Sequence, residues 1–175
     1  MSSLPSPIRG RAWKFGDSVD TNQLAGGGIR GSTPAESLRL NCLRGLRPEF
    51  TEGVQPGDIV VAGSNFGCGS SRQTAVEALE LCGVAAVLAE SIARIHRRNS
   101  IALAFPAFAV PGIADRVDDG DEIEIDYAGG VVRNLTKHSD MPLQKFPPSV
   151  EQIYDAGGIV RVIARRLAEQ GITPA

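Results

Sequence analysis

Cysteine is scarce in this chain and histidine scarcer, with three of the first and two of the second in 175 residues. The cysteines, Cys42, Cys68 and Cys82, form no Cys-x-x-Cys pair, and their odd number argues against a disulfide framework. Their spacing also supplies no ligand set for an iron–sulfur cluster or other metal held by this chain alone. No run of residues is long and apolar enough to cross a bilayer. The first ten residues hold Leu4, Pro5, Pro7 and Ile8 but no apolar h-region, so no secretory signal is expected and a cytoplasmic location is the default. Basic runs are missing as well. Lysine and arginine total 18 against 20 aspartates and glutamates, a net charge of −2, and that balance argues against nucleic acid or a membrane surface as a partner. The densest basic cluster, Arg94, Arg97 and Arg98, reads as a solvated helix face. No internal repeat or low-complexity tract appears.

What remains is ordinary globular composition, 42% apolar and 22% charged, in a length sufficient for one domain with a real core. The pattern predicts a flexible segment over 1–10, a domain over 11–170 and a short tail over 171–175. Residues 11–24 read as a strand and turn, and 25–33 as a glycine-rich loop. Thr33 caps a short helix that starts at Pro34 and runs through Leu38, Leu40 and Leu43. Residues 58–62 and 84–89 are continuous apolar runs, the mark of strands buried on both faces. Between them Ser70 and Gln73 are spaced as a capping box for a helix with Ala75, Val76, Ala78, Leu79 and Cys82 on its apolar side, ended by Gly83. Ser91 starts a further helix, and Phe108–Val110 is a short strand. Residues 121–127 alternate as a half-exposed strand, and Gly129-Gly130 turns it back into Val131–Leu135. Ser149 and Gln152 form a second capping box, and Gly157-Gly158 separates the last two helical stretches. Strand–helix–strand–helix order in the middle predicts parallel pairing and an α/β fold.

The densest chemistry lies in Gly63-Ser64-Asn65-Phe66-Gly67-Cys68-Gly69-Ser70-Ser71-Arg72. It joins a buried strand to a helix start, where backbone N–H groups and the positive dipole end attract anions. Two hydroxyls and a guanidinium are added there, a composition suited to a carboxylate-bearing small molecule. Ser70 reads as a helix cap or as a group for proton chemistry, and the two roles are compatible. Arg72 reads as a carboxylate fork or as the partner of Glu77 or Glu90. Cys68 sits in the glycine loop as a lining residue, whereas Cys42 and Cys82 read as buried thiols. His138 lies in a polar stretch and reads as a surface residue.

Gly-Cys-Gly-Ser-Ser-Arg, followed by Ala-Glu90-Ser91-Ile-Ala-Arg94-Ile-His96-Arg-Arg-Asn99, resembles the swivelling domain of the aconitase superfamily. Within it the chain is most similar to the free-standing small subunits of 3-isopropylmalate dehydratase and their homoaconitase-like relatives. The turn Gly16-Asp17-Ser18-Val19-Asp20-Thr21-Asn22-Gln23-Leu24 and the segment Asp155-Ala-Gly157-Gly158-Ile-Val also fit, so the likeness spans most of 10–170. It implies a single β/β/α domain with a mixed sheet or barrel-like core and flanking helices. It further implies that Ser70, as an alkoxide, removes the proton α to a substrate carboxylate, helped by the helix start, Arg72 and nearby N–H donors. Ser71 and Arg72 would bind the carboxylate, and Asp20 and Thr21 would line the pocket or fix its turn. The family has aspartate where Asn22 stands, and an amide keeps the hydrogen-bonding shape without the charge. The loop Gly26–Ser32 corresponds to the one that separates substrates in the family. Here Ile29 is placed for an alkyl group and Arg30 for a distal carboxylate, in place of the family's proline and Tyr-Leu pair. Gly67, Cys68, Gly69, Arg94 and His96 would support the pocket.

The resemblance implies a hydro-lyase acting on a hydroxy di- or tricarboxylic acid, by default 3-isopropylmalate in leucine biosynthesis. Homoaconitase, dimethylmalate and methylcitrate types stand as alternatives. It implies no cofactor on this chain, a [4Fe-4S] cluster in a larger partner subunit, and an active site between the two. A stand-alone serine hydrolase would need a histidine base and the Gly-x-Ser-x-Gly elbow, which the loop lacks. A nucleotide-binding module would need the P-loop lysine or a third fingerprint glycine, where Arg72 stands instead.

Overall fold

The computed structural model describes residues 4, 7–26 and 31–172. Seven strands form one mixed sheet: β1 (Ile8–Lys14), β2 (Ile59–Ala62), β3 (Ala86–Ala89), β4 (Ala107–Ala109), β5 (Glu122–Asp126), β6 (Val131–Asn134) and β7 (Ser139–Pro142). Their order is β4-β3-β2-β1-β5-β6-β7. From β1 to β4 every pairing is parallel, and from β1 through β5 and β6 to β7 every pairing is antiparallel. The chain thus has the expected mixed α/β architecture, with β1 as the seam between two halves. β1 begins at Ile8, so three residues of the expected N-terminal segment belong to the sheet.

β2 and β3 are buried along their whole length, as their unbroken apolar runs require. Alternate side chains serve two separate cores. Val60, Ala62, Val87 and Ala89 join Trp13, Phe15, Phe50, Phe66 and Leu79 on one face. Ile59, Val61, Ala86 and Leu88 join Ile123, Ile125, Phe108, Tyr127 and Phe146 on the other. The helices are α1 (Thr21–Ala25), α2 (Pro34–Asn41), α3 (Phe50–Gly53), α4 (Thr74–Leu81), α5 (Arg94–Leu103), α6 (Ile113–Arg116), α7 (Pro148–Ala156) and α8 (Ile159–Glu169). α1, α2 and α4 pack together over the first core.

Several local expectations hold and several fail. Thr33 caps α2 by accepting from the Glu36 N–H, with Pro34 at the first turn, but α2 ends at Asn41, and Leu43 follows in a left-handed conformation with its side chain fully buried. Ser70 and Ser149 do not cap. α4 starts at Thr74 behind Gln73, and α7 starts at Pro148 behind Pro147, each without a side-chain cap. Ser91 does not cap either, because α5 starts at Arg94 behind Ala93. β5 is more buried than alternation predicts, since Glu124 is covered where Arg9 and Arg133 both pair with it.

Candidate active site

The glycine loop 63–72 leaves the end of β2 and is held from both sides before α4 begins. On one side stands the turn after β1. Gly63 N–H donates to the Gly16 carbonyl (3.1 Å), Gly67 N–H to Val19 (2.7 Å), and Thr21 N–H to Cys68 (2.9 Å), while Ser18 N–H reaches back to Ser64 (2.8 Å). The Asp17 carboxylate accepts from Ser64 N–H at 2.6 Å. On the other side stands the approach to α5. Phe66 N–H donates to the Ser91 carbonyl (3.0 Å) and Ala93 N–H to Phe66 (2.8 Å), and the Ser91 hydroxyl accepts from Asn65 N–H at 2.8 Å. Three segments far apart in sequence are therefore zipped together mainly through the backbone, with the Asp17 and Ser91 side chains joining in.

Glycine is required here by close approach. A Cβ on Gly67 would lie 2.2 Å from Cγ of His96, and Gly67 also has φ of +75°. His96 is 1% exposed and packs its ring edge-on to Phe66 with centroids 5.2 Å apart. Among the described residues neither ring nitrogen has a hydrogen-bond partner. Burial therefore pushes its pKa down to about 4, so the ring is neutral near pH 7 and works as a spacer under the loop. Of the residues expected to tie α5 to the loop, His96 does so by packing. Arg94 sits exposed in the first turn of α5 and makes no ion pair among the described residues.

Thr21 is 2% exposed, and its hydroxyl oxygen accepts the Ser70 N–H at 3.1 Å. Asp20 turns its carboxylate onto α1 instead, accepting from the amides of Asn22 (2.7 Å) and Gln23 (2.9 Å). Gln23 completes the capping box by accepting the Asp20 N–H at 2.8 Å. The turn-fixing reading of Asp20 is thus the one its hydrogen bonds express. Cys68 is half-buried, with its thiol 3.6 Å from the Ser18 carbonyl. Asn22 lines an open cleft of about 450 Å³ with Gln23, Gly26, Asn41, Arg44 and Gly45. Ile29 and Arg30 lie outside the described residues.

Ser70, Ser71 and Arg72 are all exposed. Arg72 N–H donates to the Ser70 carbonyl at 2.9 Å, a three-residue turn centred on Ser71 that presents the triplet ahead of α4. Neither alternative partner takes Arg72. Glu90 accepts from the amides of Gly112 and Ala114, both at 2.7 Å, and Glu77 accepts from the Gln73 side chain at 2.8 Å. Among the described residues Arg72 has no carboxylate partner, and the amides of Ser71 and Gln73 donate to no protein acceptor. The arrangement can bind an anion with a guanidinium and free N–H groups beside two hydroxyls. Sequence reasoning placed Asp17 in a motif without a role and took Ser91 only as the start of a helix. Each proves to close one side of the loop, a contact only the fold reveals.

The chain's own donors do not fit a metal cluster. Among the described residues no group of three or more His, Cys, Asp or Glu side chains is placed to hold a metal ion. Cys42 and Cys82 meet in the core, away from Cys68 in the loop.

The Aconitase C-terminal domain family matches residues 49–105, which contain the glycine loop and α5. A 3-isopropylmalate dehydratase small subunit from Methanopyrus kandleri is 44% identical over 90% of this chain and 93% of its own length. A methanogen homoaconitase small subunit from Methanothermobacter thermautotrophicus is 44% identical over 87% of this chain and 88% of its own. The crystal structure of a 3-isopropylmalate dehydratase from Methanocaldococcus jannaschii superposes with a TM-score of 0.85 at 37% identity, covering 94% of this chain and 98% of that one. With its three motif segments joined in space and likeness of this extent, the chain belongs to the 3-isopropylmalate dehydratase small-subunit family of the aconitase superfamily.

Proposed function

We propose that this chain is the small subunit of a two-subunit hydro-lyase, with Ser70 as the base. It would interconvert 3-isopropylmalate and 2-isopropylmalate in leucine biosynthesis. The observation that carries the reading is the exposed Ser70-Ser71-Arg72 triplet, whose side chains have no partner among the described residues while the loop beneath them is fixed on both sides. A proton α to a carboxylate is weakly acidic, so its removal needs a strong base and charge stabilisation in the same place. Ser70 supplies the oxygen. Arg72 and the free amides of Ser71 and Gln73 favour its ionised form. Arg72 also offers a fork to the substrate carboxylate, and the Ser71 hydroxyl adds a donor. Arg94, exposed at the start of α5 and without an ion-pair partner among the described residues, follows directly on the Ala93–Phe66 contact that ties α5 to the loop. The helix start contributes less than Ser70-capping would have given, because α4 begins at Thr74.

Departure of the hydroxyl needs a Lewis acid. Among the described residues no donor set is placed to form its site, and we propose that a larger, cluster-bearing partner brings a [4Fe-4S] group to the shared active site. A longer tricarboxylate of the homoaconitase kind is the second reading. It is favoured by Arg30 in the substrate loop and by the 44% identity to a homoaconitase small subunit. The test is co-purification with the large subunit followed by turnover of 3-isopropylmalate, citramalate and homologues carrying an added carboxylate. Turnover of the isopropyl substrate by the pair, with none by this chain alone, is the expected result. Preference for the added carboxylate, abolished by Arg30→Ala, would move the assignment to the second reading. Turnover by the isolated chain would overturn both.

A further inference from the structure

Cys42 and Cys82 are separated by β2, the glycine loop and α4 in sequence, yet they meet in the first core. Each occupies the C-terminal cap of its helix, Cys42 behind α2 and Cys82 behind α4, and those helices pack on each other. Cys42 is fully buried and Cys82 is 7% exposed. The Cys82 thiol lies 3.5 Å from the carbonyl of Arg39, in the last turn of α2. Each thiol shifts the other's pKa, Cys42 upward and Cys82 downward. Cys68, by contrast, lies in the glycine loop with its thiol turned to Ser18.

We propose that Cys42 and Cys82 are a modification site, a dithiol that hydrogen peroxide converts reversibly into a disulfide joining α2 to α4. Cys82 is the attacking sulfur. It is the one of the pair nearer the surface, and the neighbouring Cys42 and the charge of Arg39 lower its pKa against the cost of burial. The neighbouring Cys82 and burial raise the pKa of Cys42, which is held as the thiol. In the first step the Cys82 thiolate attacks one peroxide oxygen, the O–O bond breaks, and hydroxide leaves to become water, giving a sulfenic acid. In the second, the Cys42 sulfur attacks the Cys82 sulfur, the S–S bond forms and a second water departs. Two thiols and one peroxide thus give one disulfide and two waters, the sulfurs supplying both electrons. The closed ring would contain β2, the glycine loop and α4, so the bond would tie the catalytic loop's frame to the helix that follows the substrate loop. This inference is independent of the substrate assignment.

The experiment treats the purified chain with excess hydrogen peroxide, blocks remaining thiols by alkylation, digests it and maps the peptides by mass. The expected product is an intramolecular Cys42–Cys82 peptide pair lighter by two hydrogens, with Cys68 alkylated and full reversal by dithiothreitol. Closing so long a loop should raise the melting temperature of the oxidised chain by about 5–10 °C over the reduced one. The Cys68→Ser chain should form the same link. Three alkylated cysteines after treatment, a link that contains Cys68, or an unlinked sulfinic acid at Cys82 would overturn the proposal.

Discussion

In the antiparallel half of the sheet, charged side chains are consumed by one another. Glu124 on β5 is paired with Arg9 and Arg133, Asp126 with Arg133, and Asp118 with Lys137 and Lys14. In the parallel half, the glycine loop is held by backbone hydrogen bonds and by Thr21, Ser91 and Asp17, while the side chains of Ser70, Ser71, Arg72 and Arg94 are exposed and have no protein partners among the described residues. The first arrangement ties three neighbouring strands, β1, β5 and β6, to one another. The second keeps cationic and hydroxyl groups in reserve above a frame that does not depend on them. A guanidinium already committed to a carboxylate would have to give up that partner to take a substrate, whereas Arg72 and Arg94 have only water to lose.

The sharpest way to break this contrast is to remove the reserved hydroxyl. In the reconstituted two-subunit enzyme, Ser70→Ala should lower kcat by about 1000-fold, the scale of losing a general base together with its stabilised charge. Because Ser70 is exposed and caps no helix, the melting temperature should stay within about 1 °C of the parent. Turnover assays and thermal melts on the same preparation check both halves of the statement. Turnover near the parental rate would remove Ser70 from the chemistry.

His96 tests the frame beneath the loop. A histidine free in the unfolded chain has a pKa of about 6.5, and burial lowers it to about 4 in the fold. Between those values the unfolded chain binds the extra proton, so stability falls as pH falls. The contribution is complete above about 6.5 and gone below about 4, and it amounts to about 3 kcal/mol. His96→Phe keeps an aromatic ring beside Phe66 and Gly67 and removes the titrating group. Urea unfolding from pH 7 to pH 4 should show the parent losing that increment relative to the variant. Parallel curves for the two proteins would show that His96 does not titrate as its burial requires.

The parallel half was largely legible in the sequence, because strands buried on both faces leave unbroken apolar runs such as Ile59–Ala62 and Ala86–Ala89. The motif residues were legible too. What could not be read was how they are held. Ser70 has the spacing of a cap, but Thr21, 49 residues away, takes its amide, and the chain makes one more tight turn before α4. Ser149 has the same spacing, yet Pro148 sets the first helical turn and places Ser149 inside the helix. α1 carried its signal openly in Asp20 and Gln23, and its five residues were too short to produce periodicity. β7 was missed because Ser139–Pro142 has little strand character and buries only Met141. For Ser70 and β7 a long-range hydrogen bond or a pairing partner outweighed the local preference, whereas for Ser149 and α1 the cause was local, a neighbouring proline and a short length.

The smallest expected effect lies in the antiparallel half, and it sharpens the contrast from the other side. Glu124 has its pKa lowered by its hydrogen bonds to Arg133 and Arg9, and Asp118 by its hydrogen bond to Lys137. A carboxylate whose folded pKa is depressed stabilises the fold above its unfolded value and loses that contribution as pH falls through the folded one. The acid window of this half therefore lies below the ordinary carboxylate values of 4.5 and 3.8, beneath the window of His96. Arg133→Met removes one of two partners from Glu124 while keeping an aliphatic stem over β5. It should lower the melting temperature by about 2 °C at low salt and by less at high salt, since exposed pairs are weak and screened. The turnover of the reconstituted enzyme should stay at the parental value. The deficit of the variant should narrow only as pH drops below 4.5, where the unfolded chain takes up the Glu124 proton before the folded parent does. A fall in turnover without a fall in stability would show that charge in this half reaches the site after all, and would dissolve the division of labour between the two halves.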